Sequence, residues 1–422
     1  MNPMISYSMP PHASRPGLFR HVAGLVLLSL ALALPGCASA PASKPVASSP
    51  PPPKTQPAPP SAPVAQPAPA PVPPAAPKPA PAPEDTRAPA AKNGGGGTAK
   101  QNYVEVEVFY ATDRARTGKP LPAQYFGSKR GKLQFGLCSV SIPKRHTRGE
   151  LESPVWWKLE FSKDPAKHVV LLSRTSLEQA AFYNRLRATA DARDLLVFVH
   201  GFNVTFEVAV RRTAQIAHDL RFPGVPITYS WPSQGSAKPL DYTADEATVE
   251  WTEPHLKQFL KDLRARAGSG RVHLIAHSMG NRALTKVLRS LAAESPPVVF
   301  NQVILAAPDI DAEVFERDIA PAMLKAAQRV TLYASSDDEA LAVSKTVHGY
   351  ARAGQSGDQL TLVSGLDTVD ASGIDTSLLG HSYFANQLVE DLYALLRNGL
   401  PPAERRLDPR EKQGLRYWVL PK

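Results

Sequence analysis

The segment with the clearest chemical potential is residues 271–282, which contain a single serine, Ser278. Residues 272–276 form a short apolar run, which is typical of a strand buried on both faces. After the serine, the apolar residues recur at three- and four-residue steps, as on one face of a helix: Leu284, Val287, Leu288 and Leu291. A strand that turns sharply into a helix, with serine at the tip, predicts a nucleophile elbow.

The neighbours of Ser278 fit such a turn, because a strained turn needs small flanking residues. Gly280 supplies one, and Ala276 stands where the usual G-x-S-x-G pattern has its first glycine. The N-terminus of the following helix would place the Met279 N–H beside an oxyanion formed on Ser278. The pattern alone also fits a serine in an ordinary strand-to-helix loop.

A serine hydroxyl becomes a good nucleophile only when a base removes its proton and an acid orients that base. In folds with a serine elbow of this kind, the chain order is serine, acid, histidine. His348 and His381 are the two histidines after Ser278. His381 follows the last predicted strand and directly precedes the final predicted helix, so we assign it as the base. The alternative is a histidine that caps the helix or lies on the surface.

Several aspartates are candidates for the acid. Asp337 and Asp338 follow a predicted strand at 330–333, at the end of a parallel sheet where functional loops lie. Asp338 is the predicted acid, and Asp337 is the alternative or a helix cap. Asp309 and Asp311 follow the preceding predicted strand, and they are either rival acids or turn and N-cap residues.

An oxyanion hole needs a second N–H donor besides Met279. The apolar run at 195–199 predicts a buried strand, and it ends in His200, Gly201 and Phe202. Gly201 would let the backbone approach the elbow closely. The Phe202 N–H is therefore the predicted second donor.

Strand-like and helix-like segments alternate over residues 101–398, which indicates a mostly parallel sheet with helices on both faces. The predicted strands are 104–108, 137–142, 169–172, 195–199, 227–231, 272–276, 298–306, 330–333 and 360–363. The predicted helices are 177–188, one starting near Thr205 as its cap, 251–267, one after the elbow, and 384–396. Residues 399–422 are expected to be a C-terminal tail.

Residues 1–37 have the pattern of an export signal. Arg15 and Arg20 precede an apolar core at 22–34, and Cys37 follows Leu-Pro-Gly. This ending resembles the lipobox of bacterial lipoproteins, which implies that Cys37 is lipidated and anchors the chain to a membrane. The absence of Asp after Cys37 implies the outer membrane, with the protein facing the periplasm. The alternative is a chance cysteine at the end of the signal.

Residues 38–100 are dominated by Pro and Ala and end in a glycine run, so they cannot form a core. About fifty such residues in polyproline II would extend more than roughly 100 Å. The composition predicts a disordered linker that tethers the following domain, and a passive disordered tail is the alternative.

Composition also argues against several classes of partner. The formal net charge is +10, and loss of Arg15 and Arg20 with the signal leaves +8. These basic residues are scattered, so no nucleic-acid site is predicted. Cys37 and Cys138 are the two cysteines, and lipidation of Cys37 leaves Cys138 without a disulfide partner and expected in the core. No metal-ligand or phosphate-loop motif occurs, so neither metal nor cofactor is predicted.

Six short motifs in this chain together resemble one family. They are residues 109–114 (FYATDR), 198–203 (FVHGFN), 229–233 (YSWPS), 276–281 (AHSMGN), 307–311 (APDID) and 380–383 (GHSY). The combination is similar to the bacterial α/β-hydrolase family formerly named domain of unknown function DUF900. The resemblance covers about residues 103–398 and implies an α/β-hydrolase fold and ester hydrolysis. It places Ser278, His381 and the Asp337–Asp338 turn at the triad positions and implies no particular natural substrate.

The sequence therefore predicts a lipid-anchored serine hydrolase of the bacterial envelope that acts on small-molecule or lipid carboxylic esters. Two alternatives remain at this point. One is a non-catalytic scaffold or binding protein on the same fold, and the other is an acyltransferase that uses the same triad.

Overall fold

The computed structural model describes residues 102–154, 162–191, 193–236, 238–268, 270–336, 344, 349–372 and 385–421. The expected signal at 1–37, with Cys37, and the linker at 38–100 lie outside this range, so both stay predictions.

The described strands form one sheet of eleven. They are β1 Tyr103–Arg116, β2 Phe126–Pro143, β3 Val170–Leu177, β4 Leu195–Val199, β5 Val225–Ser230, β6 Val272–His277, β7 Phe300–Ala306, β8 Ala327–Ala334, β9 Asp367–Asp370, β10 Asp408–Lys412 and β11 Leu415–Val419. Their order across the sheet is β10-β11-β9-β8-β7-β6-β4-β5-β1-β2-β3.

The sheet is parallel from β11 through β9, β8, β7, β6, β4 and β5 to β1. Antiparallel pairs extend it at both edges, where β2 and β3 follow β1 and β10 pairs with β11. The expected mostly parallel sheet is therefore confirmed. It brings the carboxyl ends of β4, β6, β7 and β8 to one edge, where parallel sheets carry their functional loops.

The described helices lie between these strands. They are α1 Gln179–Ala190, α2 Phe206–Asp219, α3 Pro239–Trp251, α4 Glu253–Arg266, α5 Gly280–Ala292, α6 Ala312–Val314, α7 Ala320–Met323 and α8 Ala385–Asn398. A π-helical turn at Phe315–Ile319 joins α6 to α7, and short 3₁₀ turns occur at Pro122–Gln124, Leu324–Ala326, Gly357–Gln359 and Pro402–Glu404. None of the helices in the described ranges is long and apolar enough to cross a membrane.

Successive residues of the central strands alternate between two cores, which is why these strands read as continuous apolar runs. On β4, Val197 belongs to the core beneath α1, α4 and α5, where it joins Phe259 and Leu284. Its neighbour Phe198 belongs to the opposite core, beneath α2 and α8, with Leu392. Helices thus cover both faces of the sheet, as expected.

Several local expectations are confirmed as well. The predicted strand at 195–199 is β4 with the same bounds, and the Thr205 side chain caps α2 by accepting a hydrogen bond from the Val208 N–H at 3.3 Å. Cys138 is a buried free cysteine on β2. The predicted strand at 104–108 lies in the first half of β1, which pairs with β2 alone.

One expected strand was wrong, and one helix was missed. Residues 360–363 are not a strand, since Leu360 closes a turn with its N–H on the Gly357 carbonyl, and the strand β9 lies at Asp367–Asp370 instead. The two aspartates of β9 made it look like a loop. The helix expected at 251–267 is confirmed as α4, whereas α3 before it was missed because its apolar periodicity is weak.

The C-terminal residues also differ from the expected tail. β10 and β11 form a hairpin, and β11 pairs in parallel with β9 through Trp418 and Val369. Trp418 and Leu420 are buried in the core beneath α8. Residues 408–419 therefore belong to the sheet.

Candidate active site

Ser278 lies at the junction of β6 and α5, and its backbone is strained. Its φ is +47°, in the left-handed region that L-residues other than Asn and Asp rarely adopt. β6 is buried along its whole length, and α5 begins two residues after the serine. The structure thus contains the sharp strand-to-helix turn that the sequence predicts.

The strained turn is tied to the neighbouring strand β7. The Ser278 N–H donates to the Ala306 carbonyl at 2.9 Å. The Asn281 side-chain amide donates to both the Ser278 carbonyl, at 3.0 Å, and the Ala306 carbonyl, at 3.1 Å. Since Asn281 is fully buried, these bonds hold the serine in its conformation against the cost of about 1–3 kcal/mol for such a backbone.

The loop after β4 packs directly against this turn. A Cβ on Gly280 would lie 2.3 Å from the His200 carbonyl oxygen, and a Cβ on Gly201 would lie 3.0 Å from the Ser278 Cβ. A Cβ at Gly280 would therefore clash with the loop backbone, and one at Gly201 would be tighter than ordinary van der Waals contact. The two segments that carry the predicted oxyanion donors, Phe202 and Met279, are in van der Waals contact.

The backbone N–H groups of Phe202 and Met279 are the two predicted oxyanion donors. Within the described parts of the chain, neither of these N–H groups donates a hydrogen bond. Met279 is fully buried and Phe202 is half-buried, and a buried backbone N–H without an acceptor is uncommon in folded proteins. Two N–H groups on segments that touch beside a serine could together bind an oxyanion.

Trp231, in the loop after β5, packs against His200 and stabilises the loop after β4. Its ring stacks on the His200 ring with centroids 5.1 Å apart, and its Nε1–H donates to the His200 carbonyl at 2.7 Å. The indole is fully buried. Trp231 therefore supports the backbone of the loop after β4 and does not face an open pocket.

Asp309, one of the alternative acids, lies in a dense polar cluster next to the elbow. Its Oδ2 accepts from the Tyr242 hydroxyl at 2.5 Å and from Arg282 at 3.0 Å. Its Oδ1 accepts from Arg352 at 2.9 Å and from the Ser344 hydroxyl. Burial would raise the pKa of Asp309, but the positive charges of the two arginines outweigh it and lower that pKa.

These contacts favour a structural role for Asp309. Each oxygen already accepts two hydrogen bonds, whereas a triad acid must accept one from the base. The Asp309 N–H also donates to the Ser278 carbonyl at 3.3 Å. Asp309 thus connects Arg282 and Arg352 to the elbow, a link that sequence inspection missed because its members come from distant segments.

Asp311, the other alternative, caps α6. Its carboxylate accepts a hydrogen bond from the Val314 N–H at 3.0 Å. This is one of the two roles that the sequence left open for it.

The remaining predicted residues of the triad lie outside the described residues. They are the acids Asp337 and Asp338, the base His381 and its rival His348. Their assignment stays a prediction. β8, which precedes the two aspartates, does pair with β7 at the same edge as Ser278, through Tyr333 and Ala306.

The described residues also give no indication of a metal centre: no group of three or more His, Cys, Asp or Glu side chains in them could hold an ion.

A parallel sheet with helices on both faces and a strained serine between β6 and α5 defines an α/β-hydrolase fold. Residues 174–398 match the family described as alpha/beta hydrolase of unknown function (DUF900). The chain belongs to this family; five of the six motifs noted above lie within the matched residues, and the motif at 109–114 lies before them.

Individual relatives are distant. The chain is 24% identical over 153 residues to the uncharacterized protein alr1448 of Nostoc, a match that covers 30% of this chain and 39% of that protein. Among solved structures, it is similar to carboxyl esterase 2 of Tuber melanosporum, with 10% identity, a TM-score of 0.31 and coverage of 72% of this chain and 90% of that one. An esterase of Rhizomucor miehei matches with 9% identity, a TM-score of 0.32 and coverage of 71% and 85%.

Proposed function

We propose that this protein is a serine hydrolase that cleaves carboxylic esters. The Ser278 Oγ attacks the ester carbonyl carbon, and His381 takes the hydroxyl proton. The Phe202 and Met279 N–H groups bind the oxyanion. His381 then protonates the alcohol oxygen as its bond to the carbonyl carbon breaks, which leaves an acyl-enzyme on Ser278. A water molecule, deprotonated by His381, attacks the acyl carbon, and His381 returns that proton to the Ser278 Oγ as the bond to the acyl group breaks and the acid leaves. Asp338 orients His381 throughout.

The observation that carries this proposal is the pairing of a strained serine with two N–H groups that have no acceptor among the described residues. Strain at a single buried residue costs free energy, and so does a buried N–H without an acceptor. Both occur at one place, where the loop after β4 meets the elbow. An oxyanion formed on Ser278 would satisfy both donors at once.

The test is covalent labelling with a fluorophosphonate, which reacts with activated serines. We expect one adduct on the peptide that contains Ser278, lost in His381→Ala. His273→Ala is a matched control, since His273 is a fully buried histidine on the same strand as the elbow. No adduct in a folded sample would support the alternative of a non-catalytic binding protein and overturn the proposal.

Hydrolysis and acyl transfer share the steps up to the acyl-enzyme. They are separated by adding an acceptor alcohol to the ester assay and measuring both products. We expect the free acid to dominate, because the proposal assigns water as the second nucleophile. Predominant transfer to the alcohol would reassign the protein as an acyltransferase.

We further propose that Cys37 carries a lipid and that residues 38–100 tether the hydrolase domain to the outer membrane, facing the periplasm. The support is the signal-like pattern before Cys37 and the Pro- and Ala-rich composition after it. In a Gram-negative host, the full chain is expected in the outer-membrane fraction. Cys37→Ser should lose that association, whereas Cys138→Ser should keep it. A Cys37→Ser protein that stays in the membrane would contradict lipid anchoring.

A further inference from the structure

Arg114, the last residue of the FYATDR motif, has no role in the mechanism above, yet its side chain is buried close to the oxyanion loop. It lies on β1 and is 1% exposed. Its guanidinium donates to five neighbours: the Ser230 hydroxyl at 2.9 Å, the carbonyls of Gly127 at 3.1 Å, Ser233 at 3.0 Å and Val204 at 2.6 Å, and His200 Nε2 at 3.4 Å.

Two of these contacts flank the predicted oxyanion donor. His200 is at the start of the loop after β4, Val204 is near its end, and Phe202 lies midway between them. The same Nη2 contacts both His200 and Val204. Arg114 therefore fixes the two ends of the segment whose central N–H must point at the oxyanion.

The contact with His200 also fixes the state of that ring. Burial, reinforced by the charge of Arg114, lowers the pKa of His200 well below its usual value, so the ring is neutral. A guanidinium can only donate, so Nε2 must be the acceptor and Nδ1 must carry the proton. Nδ1 can then donate to the Gly201 carbonyl at 2.8 Å, which orients the peptide next to Phe202.

Arg114 is an unusual choice for a purely structural contact. Its five hydrogen-bond partners are neutral groups, and burial lowers its pKa to about 9 despite the opposing charges of Asp113 and Asp245. A buried cation carries a desolvation cost that a packed apolar side chain would avoid. Its planar fork, however, can join several carbonyls in one fixed geometry.

We propose that Arg114 is a positioning residue that holds the Phe202 N–H in the oxyanion hole by joining His200 to Val204. This inference rests on the proposed hydrolase function. The last residue of the FYATDR motif would then contribute to catalysis by positioning the loop. Arg114 itself would not touch the substrate.

The test compares Arg114→Gln and Arg114→Lys with the wild type. We expect kcat for a p-nitrophenyl ester to fall about 10- to 100-fold, because small misplacements of a catalytic group have effects of this order. KM should change less than about threefold. Affinity for a boronic acid, whose tetrahedral adduct needs the oxyanion hole, should fall in parallel with kcat.

Arg211→Gln is the matched control. Arg211 is also buried, at 5% exposure, and also donates to backbone carbonyls, but its partners, Val169, Glu152 and the Ser153 hydroxyl, lie outside residues 200–204. It should lose stability with little change in kcat. Equal losses of kcat in the two variants, or a rise in KM at unchanged kcat for Arg114→Gln, would overturn the inference. If Arg114→Gln does not fold, the same kcat, KM and boronic acid affinity are compared for Arg114→Lys.

Amide hydrogen exchange at residues 200–204 separates this inference from the proposed function. If the wild type neither cleaves esters nor reacts with the fluorophosphonate, the proposed function fails. Faster exchange at 200–204 in the Arg114 variants, and not in Arg211→Gln, would still show that Arg114 holds the loop. Unchanged exchange would refute the positioning role even in an active enzyme.

Discussion

Ser278→Ala is expected to lower kcat for p-nitrophenyl esters by about 10⁴- to 10⁶-fold, because the proposed mechanism forms the acyl-enzyme on the Ser278 hydroxyl. The measurement is steady-state hydrolysis of short- and long-chain esters by the purified protein. Ser290→Ala is the control, since Ser290 is a serine on the same helix, α5, whose hydroxyl bonds to Lys257 at 2.7 Å. That variant should keep wild-type kcat.

The free energy of unfolding tests a second property of Ser278, the strain of its backbone. Alanine retains the Cβ that makes φ of +47° unfavourable, so Ser278→Ala should unfold at nearly the same denaturant concentration as the wild type. Ser278→Gly should be more stable than Ser278→Ala by about 0.5–1 kcal/mol, because glycine adopts this conformation without strain. It should be equally inactive.

The kinetic and the stability measurements test two different claims about Ser278. Ester hydrolysis that survives in folded Ser278→Ala would remove this serine from the mechanism. No gain in stability in Ser278→Gly would show that the elbow is not strained in solution, while leaving its chemical role open to the kinetic test.

The elbow was predictable from sequence because its determinants are local. A five-residue run with four apolar residues, a serine with a small residue two positions to either side, and a helical repeat follow one another within 20 positions. The same holds for β4 and the glycine at 201. In these segments, strand burial and turn geometry depend on residues that are close in the chain, so the residue types are enough to predict them.

The supports of the site were not predictable in this way, since they join residues far apart in the chain. Arg114 donates a hydrogen bond to the Val204 carbonyl, 90 positions later in the chain. Asp309 accepts one from the Tyr242 hydroxyl, 67 positions earlier. No periodicity encodes such contacts. The local signal for Arg114 was an arginine shortly after the apolar run at 108–111 of β1.

The edges of the sheet were misjudged for a related reason. Edge strands such as β10 carry exposed polar residues, and β9 carries an aspartate at each end. Whether such segments join the sheet depends on the strands they pair with. β4 and β6, in contrast, are buried on both faces, so their sequences are apolar enough to predict a strand. Trp418 and Leu420 were the apolar residues that distinguish this segment from a tail.

Gly280→Ala is expected to have the second-largest effect, because it acts on both oxyanion segments at once. The added Cβ would lie 2.3 Å from the His200 carbonyl oxygen and 3.0 Å from that of Val199, so the loop after β4 must move away from the elbow. We expect kcat to fall about 100-fold, with a loss of about 2 kcal/mol in the free energy of unfolding.

Gly224→Ala is the control that separates the loss of activity from the loss of stability. Its Cβ would lie 1.9 Å from the Asp194 carbonyl oxygen, a clash at least as severe. Gly224 and Asp194 directly precede β5 and β4, at the edge of the sheet opposite Ser278. Gly224→Ala should therefore lose stability but retain kcat per folded molecule, measured with active sites counted by fluorophosphonate titration. If the two variants kept the same kcat, close contact between the loop and the elbow would not be needed for the reaction, and the oxyanion donors would have to be sought elsewhere.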